Sequence, residues 1–135
     1  MYFKNCSDKI KLKKNMNIWT VRSETFEEYI YTNRIKANFN VNIITRMTGT
    51  DEQTYYFGLV NNDNFEDKIY ADNLGNLRCR GNYIHKFTGP AANFHYNGTD
   101  FMINGQILDL GDNYTNWSFF FQPLSKTAVY QIHIN

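Results

Sequence analysis

The stretch Asp100-Phe-Met-Ile-Asn-Gly-Gln-Ile-Leu-Asp109 constrains this chain more than any other. It reads as an apolar strand, a tight turn and a second apolar strand. A two-residue hairpin turn of type I′ needs positive φ at both central residues, and Asn followed by Gly accepts that at least cost. Phe101 and Ile103 alternate toward one side before Asn104-Gly105. Ile107 does likewise after it, with Leu108 and Leu110 toward the far end. The chain is thereby committed to an antiparallel pair at this point, and the rest of the sequence follows the same rhythm.

Asn38-Phe-Asn-Val-Asn-Ile43 alternates most cleanly. Phe39, Val41 and Ile43 take one side, and Asn38, Asn40 and Asn42 the other, as a sheet with one buried and one wet face requires. Thr54 to Val60 is apolar on both sides, which suits a central strand, and Gly58 within it marks a bulge or a close backbone approach. Lys9-Ile-Lys-Leu-Lys-Lys14 reads as an edge strand whose lysines discourage further pairing. Further strands are expected at Asn17–Arg22, Phe26–Tyr31, Lys68–Ala71, Leu77–Arg80, Asn82–Phe87, Phe94–Tyr96, Trp117–Phe121 and Ala128–Ile134. Asn61 to Asn64 reads as a loop. Strands punctuated by Asn, Asp and Gly about every eight to twelve residues are the signature of a sandwich or barrel. No run carries the spacing of a long amphipathic helix. The expected fold is all-β, an antiparallel β-sandwich or barrel.

Composition bounds the rest. At 135 residues the chain suits a single domain, 1–135, with residues 1–16 as an N-terminal edge strand or arm. Aromatic residues make up 17%, a share that suits strands. Asn supplies about one residue in seven, much of it where turns are expected. A formal net charge of +1 provides no global field toward nucleic acid or anionic lipid. No apolar run approaches the roughly 20 residues of a membrane helix, so no membrane insertion is expected. The first residues lack the apolar stretch and cleavage site of a secretory leader. That reads as cytoplasmic if the chain is complete, and as extracellular or cell-surface if it is an excised domain. Cys6 and Cys79 are too few for a disulfide scaffold. Cys79 shares a strand face with Leu77 and reads as a buried thiol, and a Cys6–Cys79 bridge stays open.

Three pieces, in this order and spacing, resemble the concanavalin A-like jelly-roll domains, in particular their laminin-G-like and DUF1080-like branch. They are Phe39-Asn-Val-Asn-Ile43, Tyr55-Tyr-Phe-Gly-Leu-Val60 and Phe101-Met-Ile-Asn-Gly-Gln106. Phe119-Phe-Phe121 and Tyr130-Gln-Ile-His-Ile134 fit the closing strands, so the resemblance spans about Trp19 to Ile134. It implies two packed sheets with a concave face, and sugar-binding members meet their ligands on that face or its rim loops. Lectins, glycan-binding modules, glycosidases and adhesion domains share the sandwich, so the resemblance speaks to fold more than to function.

A ligand face of that kind would draw on Asn38, Asn40 and Asn42 for amides, with Tyr83, His85 and Tyr96 as platforms. Glycoside hydrolysis needs two facing carboxylates. The nearest approach is Glu24 and Glu28, but Phe26 holds the position between them and Glu27 points away. His85, His95 and His133 lack ligand spacing, and neither Cys has a neighbouring His. No cofactor is expected. The one cation the sequence leaves room for is Ca²⁺, at Asn61, Asp63, Glu66 and Asp67, where hard oxygens cluster without the order of an EF-hand. Sequons at Asn97, Asn113 and Asn116 arise readily in so Asn-rich a chain. The expected role is a non-catalytic binding module with a glycan partner. The alternative is a protein-interaction or assembly domain, and a glycosidase ranks third. Nothing in the sequence sets the oligomeric state.

Overall fold

In the computed structural model, residues 2–4, 7–25, 28–45, 53–79, 82–86, 92–108, 116–124 and 129–135 are described. The alternating runs form strands, and among these residues there is no helix. In chain order they are β1 (Phe3–Lys4), β2 (Ile10–Asn15), β3 (Ile18–Ser23), β4 (Ile30–Arg34) and β5 (Phe39–Thr45). Next come β6 (Tyr55–Asn61), β7 (Asn64–Asp72), β8 (Asn76–Cys79), β9 (Asn82–Lys86) and β10 (Ala92–Tyr96). The last four are β11 (Phe101–Ile103), β12 (Gln106–Leu108), β13 (Trp117–Pro123) and β14 (Val129–Ile134).

They make two antiparallel sheets, and we name each for its central strand. The β6 sheet has the order β1-β4-β13-β6-β7-β8-β9, and the β5 sheet the order β12-β11-β10-β5-β14-β3-β2. The chain is an all-β, two-sheet sandwich. Period-two burial drives it. Phe39, Val41 and Ile43 are at most 2% exposed, and Phe101, Ile103, Trp19 and Val21 join the same core. From the opposite sheet, Phe119 meets Phe39 at 5.8 Å and Phe94 at 5.6 Å between ring centroids. Tyr130 packs against Tyr55 and Phe121 at 5.6 and 5.0 Å. Its hydroxyl donates across the layers to the Thr54 carbonyl at 2.6 Å, which gives a buried O–H its partner. Burial pushes the Tyr130 hydroxyl up to about 12, and Tyr55 rises as well, chiefly by the same desolvation.

The hairpin forms as expected, with Asn104 at φ 51° and Gly105 at 77°. Its two-residue turn pairs Ile103 with Gln106, and therefore Met102 with Ile107 and Phe101 with Leu108. Ile107 thus points outward and is 60% exposed, whereas alternation alone aligns it with Phe101 and Ile103. The register set by the turn decides this, because a one-residue shift exchanges the faces. The Lys-rich segment is β2, an edge strand, with Lys11 and Lys13 exposed.

Three expectations shift. Lys68–Ala71 belongs to the longer β7, and the Asn61–Asn64 loop contracts to a two-residue turn at Asn62-Asp63. The strand expected over Phe26–Tyr31 begins only at Ile30. Phe26, Glu27, Cys6, Leu110 and Asn113 lie outside the described residues, and with Cys6 so does the question of a bridge to Cys79.

Asp72 anchors the β7–β8 turn. Its Oδ1 accepts from the Leu74 and Asn76 amides at 2.8 and 3.1 Å, and its Oδ2 from the Gln53 and Asn76 side chains at 2.6 and 3.1 Å. At 2% exposure, a carboxylate is held in place only by being so fully paired. Gly58 is needed for a different reason. At φ 155° an added Cβ would lie well inside contact distance of the Ile69 carbonyl oxygen and 2.8 Å from the Tyr70 Cα. The close-approach reading of Gly58 is the one the structure shows.

Candidate functional site

Each sheet turns one set of side chains away from the core, and the two outward faces differ in chemistry. On the β6 sheet one row runs Tyr31, Phe120, Gly58, Tyr70 and Arg78, in register across β4, β13, β6, β7 and β8. The neighbouring row runs Gln122, Tyr56 and Asp72. Gly58 leaves a gap with no side chain in the middle of the first row. Tyr56 and Tyr70 close toward each other beside it, 5.2 Å between centroids with planes 58° apart.

Part of this face is roofed by its own side chains. Phe120 is only 1% exposed although it points away from the core. The Tyr29 ring packs edge-on against it at 5.7 Å, and Tyr31 meets Phe65 at 5.2 Å. The Lys68 Nζ stands 5.0 Å from the Tyr29 centroid. Tyr29 precedes β4 and Lys68 lies on β7, three strand steps away, or about 14 Å across a flat sheet. Their side chains meet over β13 and β6, and Val60, opposite Lys68 on β6, is 0% exposed. Burial lowers the Lys68 pKa, and the nearby Glu66 charge acts against that. The open part of the face is therefore Tyr56, Tyr70 and Arg78, with Gln53 and Gln122 alongside. The Tyr56 hydroxyl lies 3.5 Å from the Gln53 Oε1. Its pKa is raised, first by burial and then by Tyr70, while Arg78 pulls it down.

The outward face of the β5 sheet is built from amides. The Asn93 side-chain nitrogen donates to the Asn40 Oδ1 at 2.8 Å and to the Asn42 Oδ1 at 2.7 Å. The Asn104 Oδ1 accepts from the Asn93 amide at 2.8 Å, and the Asn104 amide donates back to the Asn93 carbonyl at 2.9 Å. His95 stands beside Asn40, and His133 beside Asn42, in the cross-strand register. These oxygens are occupied by the fold itself.

The six residues expected to bind ligand do not converge. Asn40 and Asn42 share the β5 sheet, as alternation implies. Asn38 lies before the strand in a turn at φ 66°. Tyr96 points inward at 5% exposure and donates its hydroxyl to the Gly98 carbonyl at 3.0 Å, so it adds no ring to the outward face beside Asn40 and Asn42. Tyr83 and His85 lie on β9, the far edge of the other sheet. Sequence spacing could not assign strands to sheets, and so residues read as one face went to two different sheets.

The expected calcium ligands serve the β6–β7 hairpin. The Asn61 Nδ2 donates to the Asp67 Oδ2 at 3.3 Å, and the Asn61 Oδ1 accepts from the Asp63 amide at 3.0 Å. The Glu66 amide donates to the Asn64 Oδ1 at 3.1 Å. Among the described residues no group of three or more His, Cys, Asp or Glu is placed to hold a metal ion. Glu24 sits exposed at a bend after β3 and Glu28 before β4, so they share no strand face.

Sequence reasoning missed Tyr56, Tyr70 and Asn93. The signal for Tyr56 was its parity against Phe57, hidden because Thr54–Val60 is apolar on both sides. Asn93 carried no local signal, since its role depends on β10 pairing with β5. Compared with known proteins, the chain matches no family model, no curated protein and no solved structure.

Proposed function

We propose that this protein is a non-catalytic carbohydrate-binding module of concanavalin A-like, jelly-roll type, which takes its ligand on the outward face of the β6 sheet. The observation that carries the reading is the half-buried Tyr56–Tyr70 pair, set beside Arg78, Gln53 and Gln122 on a face that presents rings and side-chain donors together. The apolar CH face of a sugar covers a tyrosine ring, while its hydroxyls need planar donors and acceptors at the ring's border. Covering one ring removes roughly 100 Å² of apolar surface from water, about 2.5 kcal/mol. That alone corresponds to a Kd of roughly 10 mM. Two adjacent rings with polar groups therefore fit an oligosaccharide better than a single sugar unit.

The test is a glycan array with the purified chain, repeated with Tyr56→Ala and Tyr70→Ala. Binding that either substitution abolishes supports the reading. Silence across neutral and acidic glycans sinks it. The rival role, docking of a protein, would draw on exposed apolar residues of the β5 sheet. Ile44, Ile107 and Val129 are 44%, 60% and 36% exposed, but Ile107 stands on β12, three strand steps from Ile44 on β5, so the three form no single patch.

A further inference from the structure

The rim of the sandwich holds a depression of about 430 Å³ lined by Arg34, Ile35, Lys36, Ala37, Tyr96 and Gly98. It lies between the link from β4 to β5 and the turn after β10. Ile35, Ala37 and Tyr96 make its walls mostly apolar. Arg34 and Lys36 stand exposed at its mouth, and neither forms an ion pair with another of the described residues.

The backbone around the depression is already set. The Ile35 amide donates to the Trp117 carbonyl at 2.9 Å, and the Phe39 amide to the Lys36 carbonyl at 3.1 Å. Opposite them, the Asn97 Oδ1 accepts from the Thr99 and Asp100 amides at 2.9 and 2.8 Å. The Tyr96 hydroxyl holds the Gly98 carbonyl. Gly98 has φ 102°, and a Cβ there would come within 3.2 Å of the Ala37 Cβ, so the two walls approach closely. A ligand would find the walls in place and would not have to order them.

Two cations at the mouth of an apolar floor select for one kind of molecule. We propose that this rim depression binds a small organic carboxylate whose apolar flank lies against Ile35, Ala37 and Tyr96 while its carboxyl group meets Arg34 and Lys36. The guanidinium offers two parallel donors to a carboxylate, and the lysine adds a point charge. The chemistry is shared by the uronate end of an acidic glycan and by a free aliphatic acid. The site is separate from the aromatic face and stands without it.

The experiment follows amide chemical shifts of the isotope-labelled chain by NMR during titration with sodium glucuronate, sodium butyrate and glucose. Saturable shifts at Ile35, Lys36, Ala37 and Gly98 are expected with an acid, at a Kd of about 1 mM. In the double variant Arg34→Gln/Lys36→Gln, whose exposed side chains the fold does not use, binding is expected to weaken about tenfold. Tyr56→Ala should leave the titration unchanged, which keeps this site apart from the proposed glycan face. Response to glucuronate alone identifies an acidic sugar, and an equal response to butyrate a simple carboxylate, and either supports the site. Absence of saturable shifts with both acids, an equal response to glucose, or titrations unaltered in the double variant would overturn it.

Discussion

The two outward faces of this sandwich begin from the same rule and end with opposite chemistry. On the β5 sheet, Asn40, Asn42, Asn93 and Asn104 hydrogen-bond to one another, so the polar groups that look most ready for a ligand are engaged. On the β6 sheet, Tyr56 and Tyr70 meet at 5.2 Å beside Arg78, and what they present outward is ring surface. A residue's type therefore says less about availability than its cross-strand partner does. An amide opposite an amide is satisfied within the sheet, while a tyrosine opposite a glycine gap keeps a face to offer.

Substitution at the two faces should separate them. The largest effect is expected at Gly58→Val, where the new side chain must displace β7 backbone. A loss of about 3 kcal/mol or more in urea unfolding is expected, with the Tyr56–Tyr70 face disrupted too. Gly105→Ala, at φ 77° with nothing within 4 Å of the added atom, is the contrast. It should cost about 1 kcal/mol, from backbone conformation alone.

The core common to both faces should respond to alkali. In the unfolded chain the Tyr130 hydroxyl ionises near its ordinary 10.0, while burial in the fold holds it protonated up to about 12. Because the folded-state value is the higher one, the contribution is fully present below pH 10. It is lost as pH climbs toward 12, by about 1.4 kcal/mol for each pH step of one in that window. Tyr55 acts in the same direction. Tyr130→Phe should flatten that decline at the cost of one hydrogen bond, about 1 kcal/mol at neutral pH. An equally steep decline in the variant would place the effect elsewhere.

Asn93→Ala should open the closed face. It removes the donor shared by Asn40 and Asn42 and is expected to cost about 1 to 2 kcal/mol by denaturant titration. If stability is unchanged, the amide network is decorative and the contrast between the faces fails. The smallest structural effect belongs to Tyr70→Ala, about 1 kcal/mol or less for a half-exposed ring. Its consequence should appear in glycan binding instead, and a variant that binds as well as the parent chain would remove the distinction.

Much of the fold was legible residue by residue. The alternation at Phe39, Val41 and Ile43, the Asn104-Gly105 turn, the lysine-guarded edge at β2 and the crowding at Gly58 are all local signals, and each has its expected structural counterpart. The site was less legible. Tyr96 looked like a platform but follows the inward parity of Phe94, and Tyr83 and His85 went to the other sheet. The run from Asn61 to Asp67 suggested an ion, and in the fold its Asn61, Asn64 and Asp67 side chains bond within the β6–β7 hairpin.

By itself the amino-acid order determined most of the extended positions, the Asn104-Gly105 turn, and which side of the cleanly alternating strands is apolar, because these follow from steric preferences and side-chain alternation over a few neighbouring residues. Only the tertiary structure decided which strands share a sheet, whether Ile107 faces water, and that Asn93 would claim the amides of β5. Those outcomes depend on pairing between segments tens of residues apart, and the energy that selects one pairing resides in contacts no short window contains.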